Sequence, residues 1–108
     1  MPLSIVWETK VRKPKVWEAF RRSSRLSQNY PNPFNPTTMI RYQLPEASMV
    51  KIQVFDMLGR VVATLASERK DAGIYEVPFN ASTLSSGTYF YRLQAGLFVE
   101  TKKMMLVK

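Results

Sequence analysis

No cysteine and no histidine occur in this chain, and each absence closes off chemistry. Without cysteine there is no disulfide scaffold and no thiol nucleophile, so stability must come from a packed core. Without histidine the commonest proton shuttle and metal ligand is missing, and with it the usual nucleophile–base pairs. Nor is there a run of about 18 apolar residues, the length that a membrane-crossing helix needs. The opening MPLSIVW has no basic n-region, and its apolar stretch is shorter than the roughly 7–15 residues of a signal peptide. Acidic residues are scarce as well, eight against sixteen Lys and Arg, for a formal charge of +8.

That charge is unevenly placed. Residues 1–28 hold seven Lys/Arg and two Glu, a net +5, whereas residues 29–108 hold nine Lys/Arg and six acids, a net +3. Most of the basicity therefore lies ahead of the part that patterns as a domain. At 108 residues the chain has room for one small domain with a real core and not for two. Residues 1–28 read as a basic linker or remnant, largely disordered. KVWEAFRRSSR places Val16 and Phe20 at i, i+4, but Pro14 and the Ser23–Ser24 pair confine any helix to a turn or two. The same stretch mixes Arg and Lys with Trp and Phe, the ingredients of a single-strand stacking platform. It matches no nucleic-acid recognition module, however, and a solvated tail accounts for it. No nucleic-acid partner is expected.

From residue 38 the hydrophobic period switches to two. Ile40, Tyr42 and Leu44 share a face against Arg41 and Gln43, and Val50, Ile52 and Val54 alternate with Lys51 and Gln53. RVVATLA follows, then Tyr75, Val77 and Phe79 against Glu76 and Pro78, then Tyr89, Tyr91 and Leu93 against Phe90 and Arg92. LFVETKKMMLVK closes the chain. These are half-buried strand patterns, and all four glycines fall between them, where tight connections favour positive φ. QAG predicts a hairpin joining strands at about 88–95 and 97–107. Pro78 cannot donate to a ladder and so marks an edge or a bulge. The expected fold is all-β, an antiparallel immunoglobulin-like β-sandwich of six to seven strands over residues 29–108, preceded by the short basic segment.

Catalytic constellations do not emerge from what remains. The six carboxylates of the domain, Glu46, Asp56, Glu68, Asp71, Glu76 and Glu100, are scattered over turns and strands with no close pair on one element. No phosphate-cradling loop and no metal-ligand spacing appears. The chain reads as a non-enzyme with no cofactor, no bound metal and no catalytic residue. Lys102, Lys103 and Lys108 near the end fit a strand edge guarded by lysine.

Several blocks nevertheless recur in a known order. NYPNPFNP (Asn29, Tyr30, Pro31, Asn32, Pro33, Phe34, Asn35, Pro36) is followed by DMLGR with Gly59 and Arg60. SGTY with Gly87 and Tyr89 comes next, and then KKM (Lys102, Lys103, Met104). In these blocks the chain resembles the C-terminal sorting domain of the bacterial type IX secretion pathway, type A subfamily, carried by exported proteins of the Bacteroidetes. That family is itself related to the immunoglobulin-like domain of flagellar hook-capping proteins. The resemblance implies a non-catalytic signal module that follows an N-terminal cargo. An outer-membrane translocon would recognise it and pass the cargo outward. A sortase-like peptidase would cleave just before the domain, and the product would be secreted or anchored at the cell surface. The sorting-motif residues would be the fifteen just named.

Physical reasoning gives these blocks tasks. Each residue before a proline is pushed toward extended geometry, so the Asn/Pro collar reads as a stiff boundary between cargo and signal, with asparagines capping its turns. The final strand, KKMMLVK, offers an edge and a terminal carboxylate for recognition by strand addition. With 28 residues ahead of the collar and no export address among them, the chain reads as a fragment of a longer product or one with a misplaced start, in preference to a small protein that does not use the pathway alone. The alternative role is a structural or carbohydrate-binding immunoglobulin-like module.

Overall fold

The computed structural model describes residues 23–108, and every regular element within them is a strand. They are β1 (Arg25–Leu26), β2 (Thr37–Leu44), β3 (Ser48–Phe55), β4 (Val61–Lys70), β5 (Gly73–Asn80), β6 (Gly87–Ala95) and β7 (Phe98–Leu106). Two sheets form, one ordered β1-β2-β5 and one ordered β4-β3-β6-β7, with every neighbouring pair antiparallel. The chain changes sheet after β2, after β4 and after β5, and stays within a sheet at the two hairpins, β3–β4 and β6–β7. The all-β sandwich expected from the period-two patterning is the architecture observed.

Alternation decides which residues fill the space between the sheets. Ile40, Tyr42 and Leu44 of β2 meet Val50, Ile52 and Val54 of β3 and Tyr91 and Leu93 of β6, all at most 2% exposed. Burying each such side chain contributes roughly 1.5–3 kcal/mol toward offsetting the entropy lost on ordering a domain that has no disulfides. Pro78 sits on β5, the outer strand of the three-stranded sheet, opposite Met39, where a missing N–H costs nothing in the ladder. Gly96 (φ 63) opens the two-residue turn between Ala95 and Phe98, the position at which mirror-image hairpin turns require positive φ.

Two features depart from expectation. The fold begins earlier than residue 29: Arg25 and Leu26 pair with Gln43 and Tyr42, and Leu26 is buried at 2%. The sequence hides this because two residues cannot display a period, and the basic run just before them masks the one apolar side chain. The reading of residues 1–22 as linker lies outside the described residues. The second departure is β4, which runs on to Lys70. Its ladder with β3 absorbs two register shifts, between Ile52 and Gln53 and between Val54 and Phe55. Those bulges interrupt the alternation that would have shown its length.

Candidate functional site

The Asn/Pro collar is built into the sandwich, between the free side of β7 and the start of β2. Asn29 is 2% exposed, and its amide nitrogen donates to the Pro31 carbonyl at 3.1 Å and to Thr38 Oγ1 at 3.0 Å. Its backbone N–H donates to Tyr91 Oη at 2.7 Å, and the same hydroxyl donates to the Ser27 carbonyl at 2.7 Å. Tyr30 points outward, but its backbone exchanges two hydrogen bonds of 3.0 Å with Met39. The peptide bonds preceding Pro31, Pro33 and Pro36 are cis. Phe34, 2% exposed, packs its ring 6.2 Å from that of Phe79, while Asn35 lies exposed at the surface. The Pro36 carbonyl accepts from Ala81 N at 2.9 Å, joining the collar to the loop after β5.

This placement changes the reading of the last strand. Lys103 O accepts from Gln28 Nε2 at 2.8 Å, Met105 N donates to Asn32 Oδ1 at 2.9 Å, and Met105 O accepts from Phe34 N at 3.0 Å. Val107 N donates to Phe34 O at 3.0 Å. Four outward backbone groups of residues 103 to 107 are thus already satisfied by residues 28 to 34. A second strand adding there would first have to displace the collar. What looked like a spacer and an open edge are two halves of one closed seam.

The other blocks converge on the end of the sandwich where that seam finishes. In the β3–β4 turn Asp56 Oδ1 accepts from Leu58 N (2.9 Å) and Arg60 N (3.0 Å), and Oδ2 accepts from Arg60 Nε (2.8 Å). These donors, the Arg60 backbone first, hold the Asp56 carboxyl below its usual range. Gly59 completes the turn at φ 83, with its N–H on the Asp56 carbonyl at 3.0 Å. Across a cleft of about 290 Å³ stand Ser85, Ser86, Gly87, Thr88 and Tyr89. Tyr89 is buried and its hydroxyl ties back to the Ser85 carbonyl at 2.7 Å. Lys108 N reaches Ser86 Oγ at 3.0 Å and its Nζ reaches the Ser82 carbonyl at 2.8 Å. Met57 and Leu58 remain 67% and 77% exposed on the rim, an apolar tip that the fold itself leaves uncovered.

Of the fifteen positions that the sequence marks as a sorting motif, twelve divide by task. Asn29, Phe34, Tyr89 and Met104 are interior, with Met104 0% exposed and opposite Tyr89. Asn32 accepts a hydrogen bond across the seam from Met105 N, while the Pro31 and Pro36 carbonyls accept from Thr38 and Ala81 and tie the collar to β2 and to the loop after β5. Gly59, Arg60 and Gly87 shape the cleft. Lys102 turns toward the inner side, with Nζ 3.4 Å from Glu100 Oε2, and Lys103 faces solvent. Reading residues by type missed Tyr91, Gln28 and Thr38. A buried tyrosine hydroxyl implies a partner, but nothing in the sequence shows that the partner lies more than sixty residues away.

Comparison with known proteins gives a family and a fold. The family model described as the secretion system C-terminal sorting domain matches residues 28–108. No curated protein sequence matches the chain. Among solved structures, PorZ of Porphyromonas gingivalis, described as an essential bacterial surface component of the type-IX secretion system, aligns with a TM-score of 0.52 at 16% identity. The alignment covers 80% of this chain and 12% of that one, and at such identity it speaks for a shared fold.

Proposed function

The chain belongs to the secretion system C-terminal sorting domain family, and on that premise we propose that it directs an N-terminally attached cargo out through the outer membrane by the type IX pathway. Domains of this family belong to exported proteins; the module itself binds and positions, without catalysis. The observation that carries the proposal is the convergence of the motif blocks. Residues from the collar, the Asp56–Arg60 turn, the Ser86–Tyr89 segment and the chain end meet at one end of the sandwich. That end offers a translocon component a rigid, apolar-tipped cleft. Rigidity suits recognition, because the ordering cost is met on folding and not on binding.

Type A membership and kinship with the immunoglobulin-like domain of hook-capping proteins are part of this reading. So are cleavage by a sortase-like peptidase and attachment of the cargo to the cell surface. Cleavage falls ahead of Arg25, because a protease must pull its substrate into extended, unpaired form. From Arg25 onward the backbone is held by β2, Tyr91 and β7.

A periplasm-targeted reporter fused ahead of residues 23–108, in a host with the machinery, tests the proposal. The fusion is expected at the cell surface and the bare reporter in the periplasm. Retention of both in the periplasm would overturn the proposal.

A further inference from the structure

The outer face of the four-stranded sheet carries a pattern that the collar and cleft do not use. Residues opposite one another across a ladder share a face, so the registers place Met49, Lys51, Gln53 and Phe55 of β3 on the outside, away from buried Val50, Ile52 and Val54. Arg69 lies opposite Met49, one strand out. Lys51 is two residues farther along and opposite Gln94 of β6. Arg92 is again two residues along and opposite Thr101 of β7, and Lys103 follows two residues after that. Arg69, Lys51, Arg92 and Lys103 thus form a diagonal, one cation per strand, with steps of about 7–8 Å.

The acids stand elsewhere. Glu68 and Glu100, the carboxylates of these four strands, lie opposite buried Val50 and Leu93 and so belong to the inner side. The domain's other cations are engaged: Arg41 with Glu76, Arg60 with Asp56, Lys70 with Glu68 and Lys102 with Glu100, all within 3.4 Å, and Lys108 with the Ser82 carbonyl. Among residues 29–108, the diagonal collects four of the five cations that have no carboxylate partner, the fifth being Lys108. Edge protection explains lysine or arginine on outer strands, as at Arg69 and Lys103, but Lys51 and Arg92 stand on the two central strands.

We propose that this face docks an extended acidic peptide segment of a partner protein, with carboxylates at alternate positions. Same-side residues of an extended strand recur at about 6.4–6.8 Å, close to the step of the diagonal, so seven residues could meet all four cations. A second copy of the chain is disfavoured there, because it would set like charges face to face, and the charge of residues 1–22, six Lys/Arg against two Glu, is repelled for the same reason. A sugar or a single-stranded nucleic acid would need an open aromatic face on which to stack. Two rings stand on this face: the guanidinium of Arg92 covers Phe55 at 4.7 Å and is itself steadied by Gln53 Oε1 at 3.2 Å, and Phe90, opposite Phe55, is half-buried. Beside it lies a shallow depression of about 330 Å³, and the carboxylate at its rim, Asp56, is already held by Arg60.

The test uses the purified full chain and does not depend on secretion, so its failure would leave the sorting role standing. Binding of a fluorescent octapeptide alternating Glu and Thr is followed by anisotropy at low ionic strength. A control of the same composition has its four Glu contiguous. The alternating peptide is expected to bind about fivefold tighter than the control, and Lys51→Glu with Arg69→Glu to weaken it about tenfold at unchanged melting temperature. If that pair lowers the melting temperature, Lys51→Gln with Lys103→Gln serves instead, with about a fivefold loss expected. Absence of binding would overturn the proposal, as would equal affinity for the contiguous peptide, polygalacturonate or oligothymidine. Affinity indifferent to the substitutions would do the same.

Discussion

Two tyrosines with similar burial should respond in opposite ways to losing a hydroxyl. Tyr42 is 1% exposed and Tyr91 is 0% exposed, and both lie in the core between the sheets. Tyr91 Oη accepts from Asn29 N and donates to the Ser27 carbonyl, each at 2.7 Å, so Tyr91→Phe orphans a buried N–H and a partly buried carbonyl. Leaving such groups unpaired costs about 1–3 kcal/mol. Taking about 2 kcal/mol and roughly 4–8 °C per kcal/mol for a domain this size, the melting temperature should fall on the order of 10 °C. The Tyr42 hydroxyl, by contrast, has no hydrogen-bond partner among the described residues, although its ring stacks on Tyr75 at 5.2 Å. Tyr42→Phe keeps the stack and removes a polar atom that is already unsatisfied. It should be neutral or stabilising by up to about 1 kcal/mol. Parallel circular-dichroism melts of the two variants decide the matter. Equal losses, or a larger loss for Tyr42→Phe, would refute the claim that the collar is pinned through Tyr91.

Phe34→Ala should cost about 3–5 kcal/mol, as for a buried aromatic, and hydrogen exchange should show the Met105 and Val107 amides losing protection together. Gly59→Ala forces an alanine to φ 83 with no steric clash beyond the backbone, so a urea titration should find a loss of roughly 1–2 kcal/mol. Burial pushes the Tyr91 hydroxyl up to about 12, above the ordinary value of 10.0. A raised folded-state value means that the stabilisation is whole below pH 10 and is lost as pH rises toward 12. Alkaline unfolding followed by tyrosinate absorbance should therefore fall in that window, and Tyr91→Phe should flatten it.

Period-two alternation located six of the seven strands, because a sheet with one face on a core imposes that pattern residue by residue. It predicted the inner faces of β2, β3, β5 and β6 directly from side-chain type, and of the two places open to Pro78, an edge or a bulge, the structure has the edge. β1 escaped because its two residues are ordered by what they meet, Tyr42 and Gln43, and not by their own pattern. The candidate site was legible as separate blocks only. That the Asn/Pro stretch lies against β7, or that Asp56–Arg60 faces Ser86–Tyr89, depends on contacts between distant parts of the chain that no local signal encodes. The collar's prolines and asparagines suggested a stiff boundary with capped turns, whereas the structure bonds the stretch to β7 and β2. They could not say that Asn29 and Phe34 would turn inward, since an asparagine is usually solvated unless a specific partner such as Thr38 waits for it. The diagonal of cations was equally hidden, for it exists only once register is known.

Deleting Lys102–Lys108 would remove buried Met104 and Leu106 and so unfold the domain, which makes truncation a poor probe of recognition. The direct measurement is the fraction of a fused reporter that reaches the cell surface, native domain against Met57→Ser with Leu58→Ser. Both residues are exposed on the cleft rim, so the melting temperature should be unchanged. If the motif-bearing end is what the secretion machinery recognises, surface delivery by the folded variant should drop at least about tenfold, as loss of an apolar anchor implies. Undiminished delivery by a variant with native stability would contradict it.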